Sequence, residues 1–366
     1  MSIIRQTTSA LAPARSFAAN PLAPELLAKG IIVRSPNWLG DAVMTLPALK
    51  ALRNLLPQQA PLTVIAPPQV TDLYRLYPGV DHIITIDRAH AKWSARSVAR
   101  LQRLGSCVGV LFSNSLRDAW QMRWAGIKYL YGRSARCRGF LMKRTFKFPQ
   151  WQPGMLNESH HTNEYLSIVQ AMGAVRPEPL MPQLNSPLSM GQLSLKMQSF
   201  CQHPKLLLMA PGAAYGAAKR WASSNFNAVA AEYIRQGGIV AVLGSNSERR
   251  IGDEVISQLP LNRAFNLSGE TTFSDLYNLI KSAQGCVAND SGIMHLAAAL
   301  GLPGVAVFGP TDYRATGPVA ENWLVVFDKE PCAPCFKRVC PSGSCNCMKK
   351  LQPQEVLQAM QQLHLL

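Results

Sequence analysis

"CVANDSGIMHLAAALGLPGVAVFGPTD", residues 286–312, decides the fold. An apolar run ends at Asn289-Asp290, and Ser291 and Gly292 open a segment whose apolar residues recur at helical spacing. Gly301-Leu302-Pro303 closes that segment, and a second apolar run over 304–308 ends in another turn, "FGPTD". Strand, helix and strand in so short a span make a parallel crossover unit, and ligands of such units gather beyond the carboxyl ends of the strands. A helix starting at Ser291-Gly292 offers unpaired N–H groups and a partial positive charge to an anion such as a diphosphate. Asp290 and Ser291 read equally as caps of that helix. His295, one turn in, is either a core histidine or a phosphate donor.

Working outward, the same pattern recurs. "LLLMAPGAAYGAAKRW", 206–221, runs a buried strand into a loop with Gly212 and Gly216, followed by Lys219-Arg220. Small residues, Gly212 and Ala213 among them, let backbone N–H groups approach an anion that the two cations neutralise. The spacing is not that of a Walker A loop, and an ordinary turn with a solvated Lys-Arg pair is the plainer reading. In "AVLGSNSERR", 241–250, Glu248 follows a strand end and suits either a ribose or the first turn of a helix. Apolar runs at 206–210, 239–243, 285–288 and 304–308 alternate with helical segments near 223–235, 247–258, 272–282 and 291–300. The first half repeats this, with runs at 31–34, 62–66, 82–86 and 107–112 and helices near 42–55, 69–76 and 94–104. "GAVRPEPLMPQLNSPLS", 173–189, with four prolines, is the joint between the halves. The reading is α/β, two doubly wound, Rossmann-like domains facing a cleft. Residues 30–180 form the first domain, 181–352 the second, and 353–366 a closing helix.

"SPNWLGDAVMTLPALKALR", 35–53, leads from the first strand into its helix. Asp41 precedes the helical stripe Ala42, Val43, Leu46 and Leu49, so it reads as an N-cap. A carboxylate at a strand's carboxyl end is also placed to act as a general base. Trp38, in the same loop, must pack or bind something.

The 48% hydrophobic content of 366 residues suffices for two cores, and no apolar stretch approaches the length of a spanning helix. The net charge of +16 is lopsided: residues 1–175 carry 21 Lys+Arg against 8 Asp+Glu, residues 176–366 carry 16 against 13. A polyanion facing the first half is the expected partner, against the plainer reading that basic charge only aids solubility. The first 29 residues, interrupted by Pro13 and Arg15, do not make a secretory signal and are expected to be a poorly ordered extension, although their composition also suits a transit peptide. Five of nine cysteines crowd into 332–347. Cys332-x2-Cys335 suits zinc, but Cys340 and Cys347 do not repeat the short spacing, so reduced structural thiols in a reducing cytoplasm are expected and structural zinc is the alternative.

Together "NWLGDAVMTLPALKALR", "PGAAYGAAKRW", "NDSGIMHLAAALGLPGVAVFGPTD" and "CAPCFKRVCPSGSCNCMKKLQPQEV" resemble the ADP-heptose:LPS heptosyltransferases of glycosyltransferase family 9, nearest the heptosyltransferase II branch. The resemblance covers nearly the whole chain from about residue 30. It implies a GT-B fold, an N-terminal domain for the acceptor and a C-terminal one for ADP-heptose. It implies inverting transfer of L-glycero-D-manno-heptose to heptosyl-Kdo2-lipid A, with no catalytic metal and no further cofactor. By position, Asp41 matches the base and Lys219 the phosphate-binding lysine. Asp290, Ser291, Gly292 and His295 match the pyrophosphate-binding helix start, and Glu248 the ribose-binding acid. Some members carry threonine where this chain has Ala213 and Ala214. Kdo carboxylates and lipid A phosphates would account for the basic first half, at the cytoplasmic face of an anionic inner membrane. Trp38, Arg136, Arg138, Lys143 and Arg144 are then the candidate acceptor contacts, and 139–148 either lies at a membrane interface or lines the acceptor site, against the plainer reading of a basic loop. A GT-B enzyme for another nucleotide sugar, such as a hexosyltransferase or an epimerase, is the alternative. A zinc-knuckle nucleic-acid binder is a poor third, because the cations lie in the half opposite the cysteines.

Overall fold

The computed structural model describes residues 2–5, 16–87, 92–149, 159–185 and 193–366. They form two compact units, one within residues 16–149 plus 161–185, the other from 2–5, 159–160 and 193–366. Thirteen strands are described: β1 (Ser2–Arg5), β2 (Ile31–Arg34), β3 (Leu62–Ala66), β4 (His82–Thr85), β5 (Val108–Leu111), β6 (Tyr129–Arg133), β7 (Arg144–Phe146), β8 (Leu206–Ala210), β9 (Ile239–Val242), β10 (Ala264–Asn266), β11 (Gly285–Asn289), β12 (Gly304–Phe308) and β13 (Trp323–Phe327).

The first unit holds a six-stranded sheet of order β4-β3-β2-β5-β6-β7, parallel throughout. Every residue of β2, β3 and β5 is buried, as an all-parallel sheet covered on both faces requires. The second sheet runs β1-β13-β12-β11-β8-β9-β10, parallel except for β1, which pairs antiparallel with β13. Leaving β1 aside, both sheets have the doubly wound order 3-2-1-4-5-6. Each therefore has one switch point, between β2 and β5 in the first unit and between β8 and β11 in the second. Loops leaving adjacent strands diverge there and open a crevice.

The strand and helix expectations hold closely for the second half: the helices Ser223–Arg235, Phe273–Ser282 and Gly292–Ala299 lie where the periodicity places them. The helix expected over 42–55 is instead two, Leu39–Met44 and Leu46–Leu55. Pro47 has no N–H to continue the first helix, and the Thr45 hydroxyl donates to the Ala42 carbonyl at 2.7 Å at the joint. The helices Leu116–Trp124 and His161–Gln170 and the strands β6, β7, β10 and β13 have no counterpart in the sequence reading. Their amphipathic signal is weak because polar residues such as Asp118, Gln121, Asn163 and Glu164 are buried in the helices.

The extension before Lys29 is not simply disordered. Residues 2–5 are β1, and over 16–27 Asn20 and Leu22 donate to Ala171 and Met172 carbonyls at 2.9 and 3.1 Å. Phe17 packs edge-on against Phe146 and Phe148. Residues 1 and 6–15 lie outside the described residues. The closing helix Pro353–Gln362 buries Val356, Ala359 and Met360 in the core of the second unit, beneath Val287 and Val305.

Candidate functional site

In the first unit, the loops leaving β2, β5 and β6 wall a cavity of about 360 Å³. Trp38, Asp41, Asn114, Arg133, Arg136 and Glu164 line it. Asp41 is not the cap of its helix: Trp38, in extended conformation, holds that position, and Asp41 stands in the first turn facing the cavity. Burial, assisted by the Asp41 charge, raises the Tyr74 hydroxyl to about 12 and holds that of Tyr165 well above its ordinary value. Trp38 stays 54% exposed at the cavity. Glu164 is buried and paired with Arg133 at 3.1 Å. Burial outweighs that arginine and lifts the Glu164 carboxyl to about 7.

The switch point itself is braced by buried charge. Arg34, the last residue of β2, meets Asp118 at 3.1 Å, and Ser113 donates to Asp118 at 2.7 Å. Arg138, fully buried, donates to the Ser113 carbonyl at 2.6 Å and to that of Arg133 at 2.9 Å. Arg138 is therefore no acceptor contact, because its guanidinium is spent on the backbone of the loops. Arg144 is likewise committed elsewhere, donating to Ala18 at 2.8 Å over the Phe146 ring. Lys143 is exposed and outside the cavity lining. Of the five residues expected to meet an acceptor, Trp38 and Arg136 line the cavity. Arg133, Glu164 and Tyr165 also line the cavity and were not among the sequence candidates, since they lie on elements that the sequence pattern does not reveal.

The second unit builds a different chemistry at its own switch point. The loop after β8 brings Lys219 Nζ to 2.6 Å from Asp290 Oδ2, at the end of β11. Asn289 stitches the same two loops, donating to the Pro211 carbonyl at 2.6 Å and accepting from the Trp221 N–H at 3.2 Å. Thr311, from the turn after β12, donates to Asp290 at 2.7 Å. Burial pushes the Asp290 carboxyl up, but Lys219 and the two hydrogen bonds bring it below its ordinary value. Asp290 is thus an anchor for the lysine, and Ser291 is the helix cap, accepting from the Met294 N–H at 3.4 Å. Gly292 begins the helix. Behind it His295 is buried, and desolvation lowers it to about 4, so its ring is neutral at pH 7.

Around this pair, Ala213 is buried and Arg220 Nε is buried with no hydrogen-bond partner among the described residues. Glu248 accepts from the Ser245 N–H and hydroxyl, both at 2.8 Å, in a capping box. Its carboxylate lies where a side chain on residue 212 would be, so the absence of a Cβ at Gly212 leaves room for it. The cysteine segment supports the lysine loop from outside. Tyr215 donates to the Phe336 carbonyl at 2.7 Å, and its ring is in cation–π contact with Lys219 at 4.8 Å and with Arg338 at 5.1 Å. The nine cysteines are free thiols, and among the described residues no three His, Cys, Asp or Glu side chains are grouped to hold a metal ion. Hydrogen bonds from Ser342 and the Cys345 N–H lower Cys340 to about 6, while burial raises Cys347 to about 12.

Comparison with known proteins gives a consistent result. The model of glycosyltransferase family 9 (heptosyltransferase) matches residues 99–345. The lipopolysaccharide heptosyltransferase 2 of Salmonella typhimurium is 29% identical over 316 residues, 81% of this chain and 87% of that protein. The lipooligosaccharide heptosyltransferase 2 of Campylobacter jejuni serotype O:2 is 27% identical over 339 residues, 91% of this chain and 98% of that protein. Among solved structures, the ADP-heptose LPS heptosyltransferase II of Escherichia coli matches with a TM-score of 0.72 and 25% identity, over 91% of this chain and 98% of that one.

Proposed function

The chain belongs to glycosyltransferase family 9, with the GT-B fold, and we propose on that footing that it transfers heptose from ADP-heptose to the inner core of lipopolysaccharide. The acceptor of this reading is heptosyl-Kdo2-lipid A and the transfer inverts the anomeric centre. One observation carries it: two sheets of the same strand order present complementary chemistry at their switch points, a carboxylate-lined cavity in one and a cation beside a helix start in the other.

In this mechanism the acceptor hydroxyl attacks the anomeric carbon in line with the departing diphosphate. The new C–O bond forms as the bond from the anomeric carbon to the phosphate oxygen breaks, and the hydroxyl proton passes to Asp41. Lys219, held by Asp290, and the N–H groups at Ser291-Gly292 stabilise the charge that develops on ADP. Arg220 adds a second cation, and the neutral His295 is available to hydrogen-bond a phosphate oxygen. Glu248 accepts the ribose hydroxyls. Arg133 and Arg136 face the anionic acceptor, and Trp38 offers its ring to a sugar. The lipid of the acceptor brings the enzyme to the cytoplasmic surface of an anionic membrane. No helix among the described residues is long and apolar enough to cross it.

The test is acceptor-dependent release of ADP from ADP-heptose by wild type and Asp41→Asn. A positioned base contributes roughly 10²–10⁴-fold, so kcat should fall by about that factor while the melting temperature barely moves. A folded variant with the wild-type rate removes Asp41 from the chemistry. Tight binding of UDP in preference to ADP would redirect the reading to another nucleotide sugar.

A further inference from the structure

The helix Leu116–Trp124 turns an unusual face outward. Leu116, Trp120 and Trp124 recur every fourth residue, so they stack along one side. They are 39%, 59% and 57% exposed, and Phe140, from the turn after β6, is 73% exposed. Among the described residues the strongly exposed aromatic side chains are these three and Trp38, which lies at the neighbouring cavity. A contiguous exposed apolar patch of this kind marks an interaction surface. Leu116, Trp120 and Phe140 wall an open groove, together with Arg117 and Arg136.

Charge and position identify the partner. The Lys92 ammonium lies over the Trp124 ring at 5.6 Å. The helix's single carboxylate, Asp118, is buried and turned inward against Arg34. The stripe is thus edged with positive charge on the basic half of the chain, and tryptophans with cations suit the headgroup layer of an anionic bilayer. Ser115 and Arg136 line both this groove and the cavity that holds Asp41. We infer that Trp120, Trp124 and Phe140 seat the protein on an anionic lipid surface, holding the Asp41 cavity against the headgroups from which a lipid-anchored sugar projects. The link to the acceptor rests on the transferase reading above. The surface shares Phe140 with the basic stretch 139–148 expected from sequence and adds two tryptophans from a helix that the sequence pattern does not reveal.

The experiment uses the full-length protein and the double variant Trp120→Ser/Trp124→Ser, with Leu195→Ser/Leu261→Ser, on the other unit, as control. Co-sedimentation is measured with phosphatidylcholine vesicles with and without phosphatidylglycerol. Turnover is measured on a lipid-embedded acceptor and on a delipidated, water-soluble one. Wild type and control should bind the anionic vesicles, with binding weakened by salt and by omission of phosphatidylglycerol. Losing each tryptophan should weaken binding by roughly tenfold, and kcat/KM should fall with it on the embedded acceptor only. A double variant that binds vesicles and turns over both acceptors like wild type overturns the docking surface and leaves the transferase standing. Conversely, wild type without transfer to either acceptor, but with tryptophan-dependent vesicle binding, overturns the transferase reading and keeps the surface. A wild-type dimer that the double variant converts to monomer, with vesicle binding unchanged, assigns the stripe to a second copy and refutes the proposal.

Discussion

Glu164 shows what a single side chain contributes that its sequence position conceals. Its carboxyl, lifted from 4.5 to about 7, binds a proton in the folded state that the unfolded chain has already released over that interval. By linkage its stabilising contribution is complete below about pH 4.5 and is lost as pH rises through about 7. Glu164→Gln should therefore flatten the decline of unfolding free energy between those limits, by up to about 3 kcal/mol. Urea titrations at several pH values check this, and parallel profiles for wild type and variant would contradict the assigned shift. Asp41 was legible as a candidate carboxylate from the loop around it, and the structure puts it in the cavity wall. Glu164 was not, because an acid in a helix usually faces water, and only packing puts this one in the cavity. Arg138 misled for the converse reason: a cation in a basic loop reads as surface until the backbone around it is folded.

At the scale of elements, the second site depends on two loops 71 residues apart being clamped together by Lys219 and Asp290. Removing one member of a buried ion pair leaves the other desolvated and uncompensated. Lys219→Met should cost about 3–5 kcal/mol, whereas Lys219→Met/Asp290→Asn should recover a large part of that loss. Denaturant unfolding of the cycle tests this, and additive losses would mean that the clamp carries no coupling. Periodicity located β8, β11 and the helix after β11, because buried parallel strands and a small-residue helix have strong local signatures. It could not show that Asp290 serves the lysine while Ser291 caps the helix, since both types cap well in isolation. The split at Thr45 was hidden in the same way, by an apolar stripe that runs on through Pro47.

For the whole molecule, each unit has its own sheet and core, so a ligand of one should be seen mainly there. With ADP at about one hundred times its Kd, the stabilisation should be about 2.7 kcal/mol. Hydrogen exchange should then slow around residues 211–221, 244–248 and 289–295, with the cavity walls at 36–41 and 111–115 little changed. Equal protection of both sets would oppose the assignment of the nucleotide to the second unit. Slowing confined to 36–41 and 111–115 would reverse the two roles.

Fold class, the repetition of one doubly wound pattern, the family and the candidate loops at strand ends were all readable without the structure. Each of these rests on local signals: apolar runs for buried strands, helical spacing, and small or capping residues at strand ends. Tertiary structure alone decided which polar residues of those loops face a cavity, which are used up bracing the backbone, and which aromatic face is left in water. Those outcomes depend on burial and on partners distant in the chain, where desolvation and the reach of one side chain to another set the charge state and the role.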